Sequence, residues 1–190
     1  MTESAASRTK WLGIGAFLVG GCLVVALAGA SVWQANVHNS KLDEAQSRAA
    51  AASYLQDAKK EGATVVTLLK RYVASGDETL IPEVKSHASS GVESLTLAVA
   101  QGGAVDLTVL AQQGSRLVEG AGQIIAVRQS GDAQGAAAAA ENLKPAFDQV
   151  TAAVDGAVAA ELAEAASQQH SAESAKTAAF WLAISAAVVG

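Results

Sequence analysis

The helical fold is encoded most clearly in residues 55–77, which read LQDAKKEGATVVTLLKRYVASGD. Apolar or small residues recur there every three or four positions, the spacing that aligns them along one face of an α-helix. This seam comprises Leu55, Ala58, Gly62, Val65, Leu69 and Tyr72. The run ends at Ser75-Gly76-Asp77, where glycine is a usual residue after a helix and aspartate can cap the next one. The stretch therefore predicts a helix that packs through a narrow seam, as in bundles and coiled coils.

The same signals recur and divide the middle of the chain into four helices. Further turns are expected at Gln101-Gly102-Gly103 and at Ser130-Gly131-Asp132. The predicted helices cover residues 35–75, 79–101, 104–130 and 133–176. The other seam positions are Leu80, Val84, His87, Gly91, Leu95 and Ala98 in the second, Leu107, Leu110, Gly114, Leu117, Ala121 and Ile124 in the third, and Leu143, Phe147, Val150, Val154, Ala157 and Leu162 in the fourth. The turns predict an all-α fold, an antiparallel up-down-up-down bundle of four helices.

The composition excludes several classes of protein. The 190 residues are 51% hydrophobic but only 4% aromatic, and the formal net charge is -5. Alanine combined with Glu, Gln, Lys and Leu favours helices, and the single cysteine, Cys22, excludes a disulfide scaffold. An acidic chain without a basic patch argues against nucleic-acid binding. Because many seam positions are Ala or Gly and bury little area, we expect the bundle to form a homodimer.

Residues 11–33 are predicted to form a transmembrane helix. They contain no charged side chain, and as a helix they extend about 34 Å, enough to cross a hydrocarbon core of roughly 30 Å. Arg8 and Lys10 precede the segment, and no basic residue follows it closely. The positive-inside rule therefore places residues 1–10 in the cytoplasm and residues 34–176, the bundle, outside the inner or plasma membrane.

A cleaved signal peptide is the alternative for the first apolar segment. Ala28-Gly29-Ala30 fits a small-x-small cleavage site, and the mature secreted protein would then begin near Ser31. The apolar run is longer than the roughly 7–15 residues of a usual signal core, which favours an uncleaved anchor. Both alternatives export the bundle.

Residues 177–190 are predicted to begin a second transmembrane helix. They are uncharged and follow Lys176, and Phe180 and Trp181 lie near their start, as aromatic residues do at a membrane interface. As a helix they extend about 21 Å, which is too short to cross the membrane. We therefore expect the sequence to stop within this helix, with a cytoplasmic output part beyond it. The alternative is a buried C-terminal core helix.

Residues 130–136, SGDAQGA, and residues 143–150, LKPAFDQV, resemble the turn into the final helix of the four-helix-bundle sensors of methyl-accepting chemotaxis proteins and histidine kinases. The resemblance covers nearly the whole chain, as a membrane helix, an extracytoplasmic bundle and a second membrane helix. It implies the signal-input region of a bacterial transmembrane receptor. Such a region senses a small ligand or an extracytoplasmic partner and transmits a conformational change through its membrane helices. The sequence contains none of the cytoplasmic output modules of these receptors.

No motif for catalysis, a cofactor or a metal is recognisable in the sequence. His38, His87 and His170 lie on three different predicted helices, without a second zinc ligand three or four residues away. Glu161 and Glu164 lack the histidine that completes the motif of di-iron bundles. We therefore expect no enzyme activity, no cofactor and no metal, and the ligand-binding residues stay unassigned.

The positions of two arginines allow two interpretations. Arg71 and Arg128 lie near the two Ser-Gly-Asp turns, and those sensors of this type that bind anions commonly place arginines in this part of the bundle. Both also suit the negative end of a helix dipole, and this is the interpretation we favour.

The second hypothesis for function is a membrane-anchored helical stalk that oligomerises and tethers an enzyme complex. This function needs neither a ligand nor a second membrane crossing.

Overall fold

A computed structural model describes the backbone of residues 3–103 and 106–189, and the side chains of residues 36–103, 106–181 and 184. The described residues form four α-helices and no strand, which confirms the all-α prediction. The helices are α1 (Glu3–Ser75), α2 (Leu80–Ala100), α3 (Thr108–Gln129) and α4 (Ala133–Val189). The chain divides into two compact units, one formed by Glu44–Ser167 and the other by the flanking segments Met1–Asp43 and Gln168–Gly190.

The unit Glu44–Ser167 is a four-helix bundle with two apolar clusters. The turn-end cluster joins the last turns of α1 and α3 to the first turns of α2 and α4, through Leu68, Leu69, Tyr72, Leu80, Val84, Ala121, Ile124, Ile125 and Ala136. The loop-end cluster joins the end of α2 and the start of α3 to α1 and α4, through Leu55, Ala58, Leu95, Ala98, Leu107, Leu110, Val154 and Ala157. Successive helices therefore run in opposite directions, as the spacing of the turns predicts.

Glycine ends three of the helices as expected. Gly76, Gly102 and Gly131 have φ angles of 69°, 68° and 92°, a left-handed conformation that glycine adopts without steric cost. Asp132 Oδ1 accepts a hydrogen bond of 2.7 Å from the backbone N–H of Gly135. This is an N-terminal cap, and it begins α4 where the sequence predicts a helix.

The start of α3 differs from its prediction. The helix begins at Thr108 rather than at residue 104. Asp106 Oδ1 accepts a hydrogen bond of 3.0 Å from the backbone N–H of Thr108. This local turn delays the helix, because an aspartate side chain that bonds a backbone N–H two residues on favours a turn over a helix. Residues 104–105 lie outside the described residues.

The predicted seam of α4 is wrong at its end. Leu162 is 46% exposed, whereas its neighbour Glu161 is fully buried. From Val154 onward, the buried positions of the helix are Val154, Ala157, Glu161, Ala165 and Ala172. They follow one another at intervals of three, four or seven residues, so Leu162 is turned about 100° away from this line. The interval of four residues from Ala157 falls on Glu161. The sequence nevertheless favours Leu162, because a charged side chain is seldom fully buried.

No helix in the part of the chain that the structure describes is long and apolar enough to span a membrane. The predicted membrane segment 11–33 belongs to α1, but its side chains lie outside the described residues. Within 177–190, Phe180 and Trp181 are each 61% exposed. Their rings contact edge to face with centroids 6.0 Å apart.

Candidate functional site

A cavity of about 80 Å³ lies at the centre of the bundle, and all four helices contribute to its wall. Its lining reaches from Leu69 and Ala121 in the turn-end cluster to Leu95 and Val154 in the loop-end cluster. The space is therefore a gap between the two clusters.

Three glycines on three helices contribute to the wall of the cavity. Gly62, Gly91 and Gly114 all line the cavity. A Cβ atom on Gly62 would lie 3.2 Å from the ring of Phe147, and one on Gly114 would lie 2.5 Å from Leu95 Cδ1. Glycine thus lets these two large side chains approach a backbone. At about 24 cal/mol per Å³, an empty cavity of this size destabilises the bundle by about 2 kcal/mol.

The cavity wall is almost entirely hydrocarbon. The polar side chains in its lining are those of Lys59, His87 and Thr151. Lys59 Nζ lies 2.5 Å from Asp155 Oδ1, and His87 Nδ1 lies 2.5 Å from Glu61 Oε2. The first pair joins α1 to α4 and the second joins α1 to α2. The polar atoms of each pair thus contact each other, and an occupant of the cavity meets mainly carbon atoms.

A second polar feature, a buried ion pair, lies elsewhere in the seam between α1 and α4. Arg48 Nη1 is 3.3 Å from an oxygen of the fully buried Glu161, and Arg48 Nη2 is 3.1 Å from Glu44. The hydrogen bond to Glu44, together with that to Glu161, raises the pKa of Arg48. Arg48 Nε has no acceptor among the described residues. The arrangement holds α1 against α4 by charge as well as by packing.

The three histidines have different contacts. His38 contacts the carbonyl oxygen of Ala172, His87 contacts Glu61, and His170 is exposed. No group of three or more His, Cys, Asp or Glu side chains among the described residues could hold a metal ion.

Arg128 serves as a helix-end residue. Its Nε donates a hydrogen bond of 3.1 Å to the carbonyl oxygen of Val73, near the end of α1. A Cβ atom on Gly76 would lie 2.6 Å from Arg128 Nη2, so the glycine also makes room for the guanidinium. Arg71 is exposed. The structure thus does not join the two arginines into an anion site, and Arg128 binds helix carbonyls as its charge favours.

Sequence reasoning missed the pairs Glu61–His87 and Arg48–Glu161, because each joins two helices that are distant in sequence. The sequence contains one signal for the second pair: the interval of four residues from Ala157 falls on Glu161, which predicts that Glu161 faces the core. No protein-family model, curated protein or solved structure matches the chain. The resemblance to receptor sensors therefore stays a prediction that rests on the residues quoted for it and on the architecture.

Proposed function

We propose that the chain is the signal-input region of a bacterial transmembrane receptor. Residues 11–33 anchor it in the inner membrane with residues 1–10 in the cytoplasm. The bundle, residues 34–176, lies outside the membrane and senses a small ligand or a protein partner. Residues 177–190 begin the helix that returns through the membrane. In this proposal the receptor is a homodimer, has no enzyme activity of its own in this region, and binds no nucleic acid.

The observation that carries the proposal is the contact between α1 and α4 beside the two apolar segments. His38 Nδ1 lies 3.1 Å from the carbonyl oxygen of Ala172, and Ala172 is fully buried. His38 is five residues after Trp33, and Ala172 is five residues before Thr177. The end of the first apolar segment and the start of the second are thus the same number of residues away from a contact between α1 and α4. This supports entry of both segments into one membrane.

Exposed aromatic residues at the start of the second segment also support the proposal. Phe180 and Trp181 are largely exposed, and Ile184 is 38% exposed. Aromatic rings with an apolar body and a polar edge favour the interfacial region of a bilayer. A membrane would cover these side chains, which water otherwise surrounds.

The loosely packed bundle provides a means of transmission. Small seam residues and an unfilled centre allow α4 to shift against its neighbours by the 1–2 Å that is typical of helix displacements in signalling proteins. A ligand with a higher affinity for one of the two packings increases its population. The element α4 extends from Ala133 to Val189, so in this proposal the signal leaves the bundle along α4.

A chimera tests whether the bundle controls an output. The kinase-regulating cytoplasmic half of a characterised chemoreceptor is joined after Gly190 through the cytoplasmic half of that receptor's second membrane helix, which completes the helix that residues 177–190 begin, and kinase activity is measured in membranes. Gly62→Leu, which enlarges a residue at the tight contact with Phe147, is expected to change kinase activity several-fold. Gly122→Leu is the matched control, because a Cβ atom at this exposed position meets no other atom within 4 Å.

A membrane-anchored stalk is the second candidate function. The pairs Arg48–Glu161 and Lys59–Asp155 both join α1 to α4, as a rigid spacer would require. If kinase activity is the same in the wild type and in both leucine variants, although all three are folded in the membrane, the receptor proposal is wrong and the stalk is favoured.

A further inference from the structure

We propose that the central cavity is the ligand site of this receptor and that its ligand is a small, uncharged, apolar molecule. The role of the site as a sensor rests on the function proposed above. Binding itself does not, because the cavity lies wholly within the unit Glu44–Ser167.

The chemistry of the wall defines the class of ligand. Leu117, Val118 and Val150 supply aliphatic surface from α3 and α4. The nearby charges of Lys59 and Glu61 have partners in Asp155 and His87. A charged ligand would lose its hydration without gaining a counter-ion, which is costly in a protein interior. An apolar molecule gains dispersion contacts that the empty cavity lacks.

The volume limits the size of the ligand. An apolar cavity of about 150 Å³ stays dry and binds benzene or xenon, and the present cavity has about half that volume. It therefore suits a molecule of a few heavy atoms. Water is a poor occupant, because a buried water needs two to four polar partners.

A ligand can reach the cavity from the flanks of α1. Lys59 and His87 line the cavity, yet their side chains are 42% and 40% exposed. The lining thus extends from the buried centre to side chains in contact with solvent. An occupant would touch all four helices, so its binding free energy differs between any two packings of the bundle.

Xenon is the probe for a direct binding test. The full chain in detergent micelles carries ¹³C-labelled leucine and valine methyl groups, and NMR spectra are recorded at increasing xenon pressure. We expect saturable shifts for Leu117 and Val150, which line the cavity. Leu80 in the turn-end cluster and the exposed Leu162 report non-specific partitioning and should not saturate. Acetate, a charged molecule with few heavy atoms, should produce no saturable shift.

Two glycine variants locate the xenon site. Gly91→Ala places a methyl group in the lining, where its nearest contacts, 3.4 Å to Glu61 Cβ and 3.8 Å to the Ala58 carbonyl oxygen, are ordinary. It should weaken xenon binding at least roughly threefold by removing free volume. Gly122→Ala makes the same chemical change at an open position and should leave the affinity unchanged.

Three results would overturn the proposal: shifts that rise linearly and equally at all four reporters, saturable binding of acetate, or equal weakening by the two alanine variants. None of these would affect the chimera or the membrane topology. Conversely, a chimera without regulation would disprove the receptor while leaving xenon binding intact, so the two failures are distinguishable.

Discussion

Glu161 lies in the seam of α4, at a position that the other helices fill with small or apolar residues. It is fully buried, and Arg48 contributes an ion pair from α1. Removal of one partner of a buried ion pair costs more than the pair contributes, because it leaves a charge in the interior. We therefore infer that the pair contributes to the stability of the contact between α1 and α4 at this level.

Arg48→Met is expected to lower the free energy of unfolding by roughly 3 kcal/mol, because Glu161 loses an ionic partner in the interior. Addition of Glu161→Leu should recover most of the loss. Chemical denaturation of the full chain in detergent, followed by circular dichroism, measures both effects. Lys144→Met is the control, since the Lys144–Asp148 pair joins two side chains that are more than half exposed. A loss in Arg48→Met no larger than in the control would contradict the inference.

Asp77 gives a prediction for pH dependence. Hydrogen bonds from the hydroxyl and then the backbone N–H of Thr79 hold the pKa of Asp77 below its ordinary value of 3.8. A carboxyl group whose pKa is lowered in the folded state stabilises the fold at pH values above its ordinary pKa. This contribution is lost as the pH falls through the lowered pKa. Thr79→Ala removes the hydroxyl, so the pKa of Asp77 should rise toward 3.8.

An NMR titration of the Asp77 carboxyl carbon measures this pKa. Thr96→Ala is the control, because the hydroxyl of Thr96 donates to the carbonyl oxygen of Val92 in its own helix. An unchanged Asp77 titration in Thr79→Ala would show that the hydroxyl is not the cause of the lowered pKa.

At the scale of the helix, the residues at the helix ends allow the most specific predictions of structure from sequence. Gly76, Gly102 and Gly131 all adopt positive φ angles, and they were predicted because no other residue adopts this conformation so readily. The start of α3 was predicted less well. A glycine signals where a helix ends, whereas the first turn after it depends on whether a residue such as Asp106 bonds the backbone ahead of it.

Gly131→Ala is expected to destabilise the fold by about 1 kcal/mol. Its φ angle is 92° and a Cβ atom would meet no other atom within 4 Å, so the cost is that of the left-handed backbone alone. Gly122→Ala, within α3, should instead stabilise by roughly 0.5–1 kcal/mol through helix propensity. Thermal unfolding measures the opposite signs. A stabilising effect of both substitutions would contradict the assigned helix end.

At the scale of the whole molecule, periodicity predicted the number of helices, their order and most of the core. The cavity was not predictable, because it depends on which residues of four helices meet at one level. Gly62, Gly91 and Gly114 each look like ordinary seam residues in sequence, and only the fold brings all three to the wall of one cavity. The contact between His87 and Glu61 was not predictable for the same reason, because the two residues lie 26 positions apart in the chain.

The loosely filled bundle leads us to expect a homodimer. Its seams contain many Ala and Gly residues that bury little area, and Val109 and Leu162 remain 54% and 46% exposed. Sedimentation equilibrium of the full chain, in a detergent matched to the density of the solvent, should yield twice the mass of 19.1 kDa. A monomer at all protein concentrations would contradict this prediction.

The membrane topology is the central claim, and a pair of reporter fusions tests it most directly. Alkaline phosphatase, which is active only outside the cytoplasm, is joined after Asp132 in one fusion. In the other it follows Gly190 and about six added leucine residues, which complete the roughly 20 residues that a transmembrane helix needs. The proposal predicts high activity after Asp132 and none after Gly190, with a fluorescent protein that matures only in the cytoplasm giving the reverse pattern. Phosphatase activity after both residues would contradict a second membrane crossing and with it the receptor.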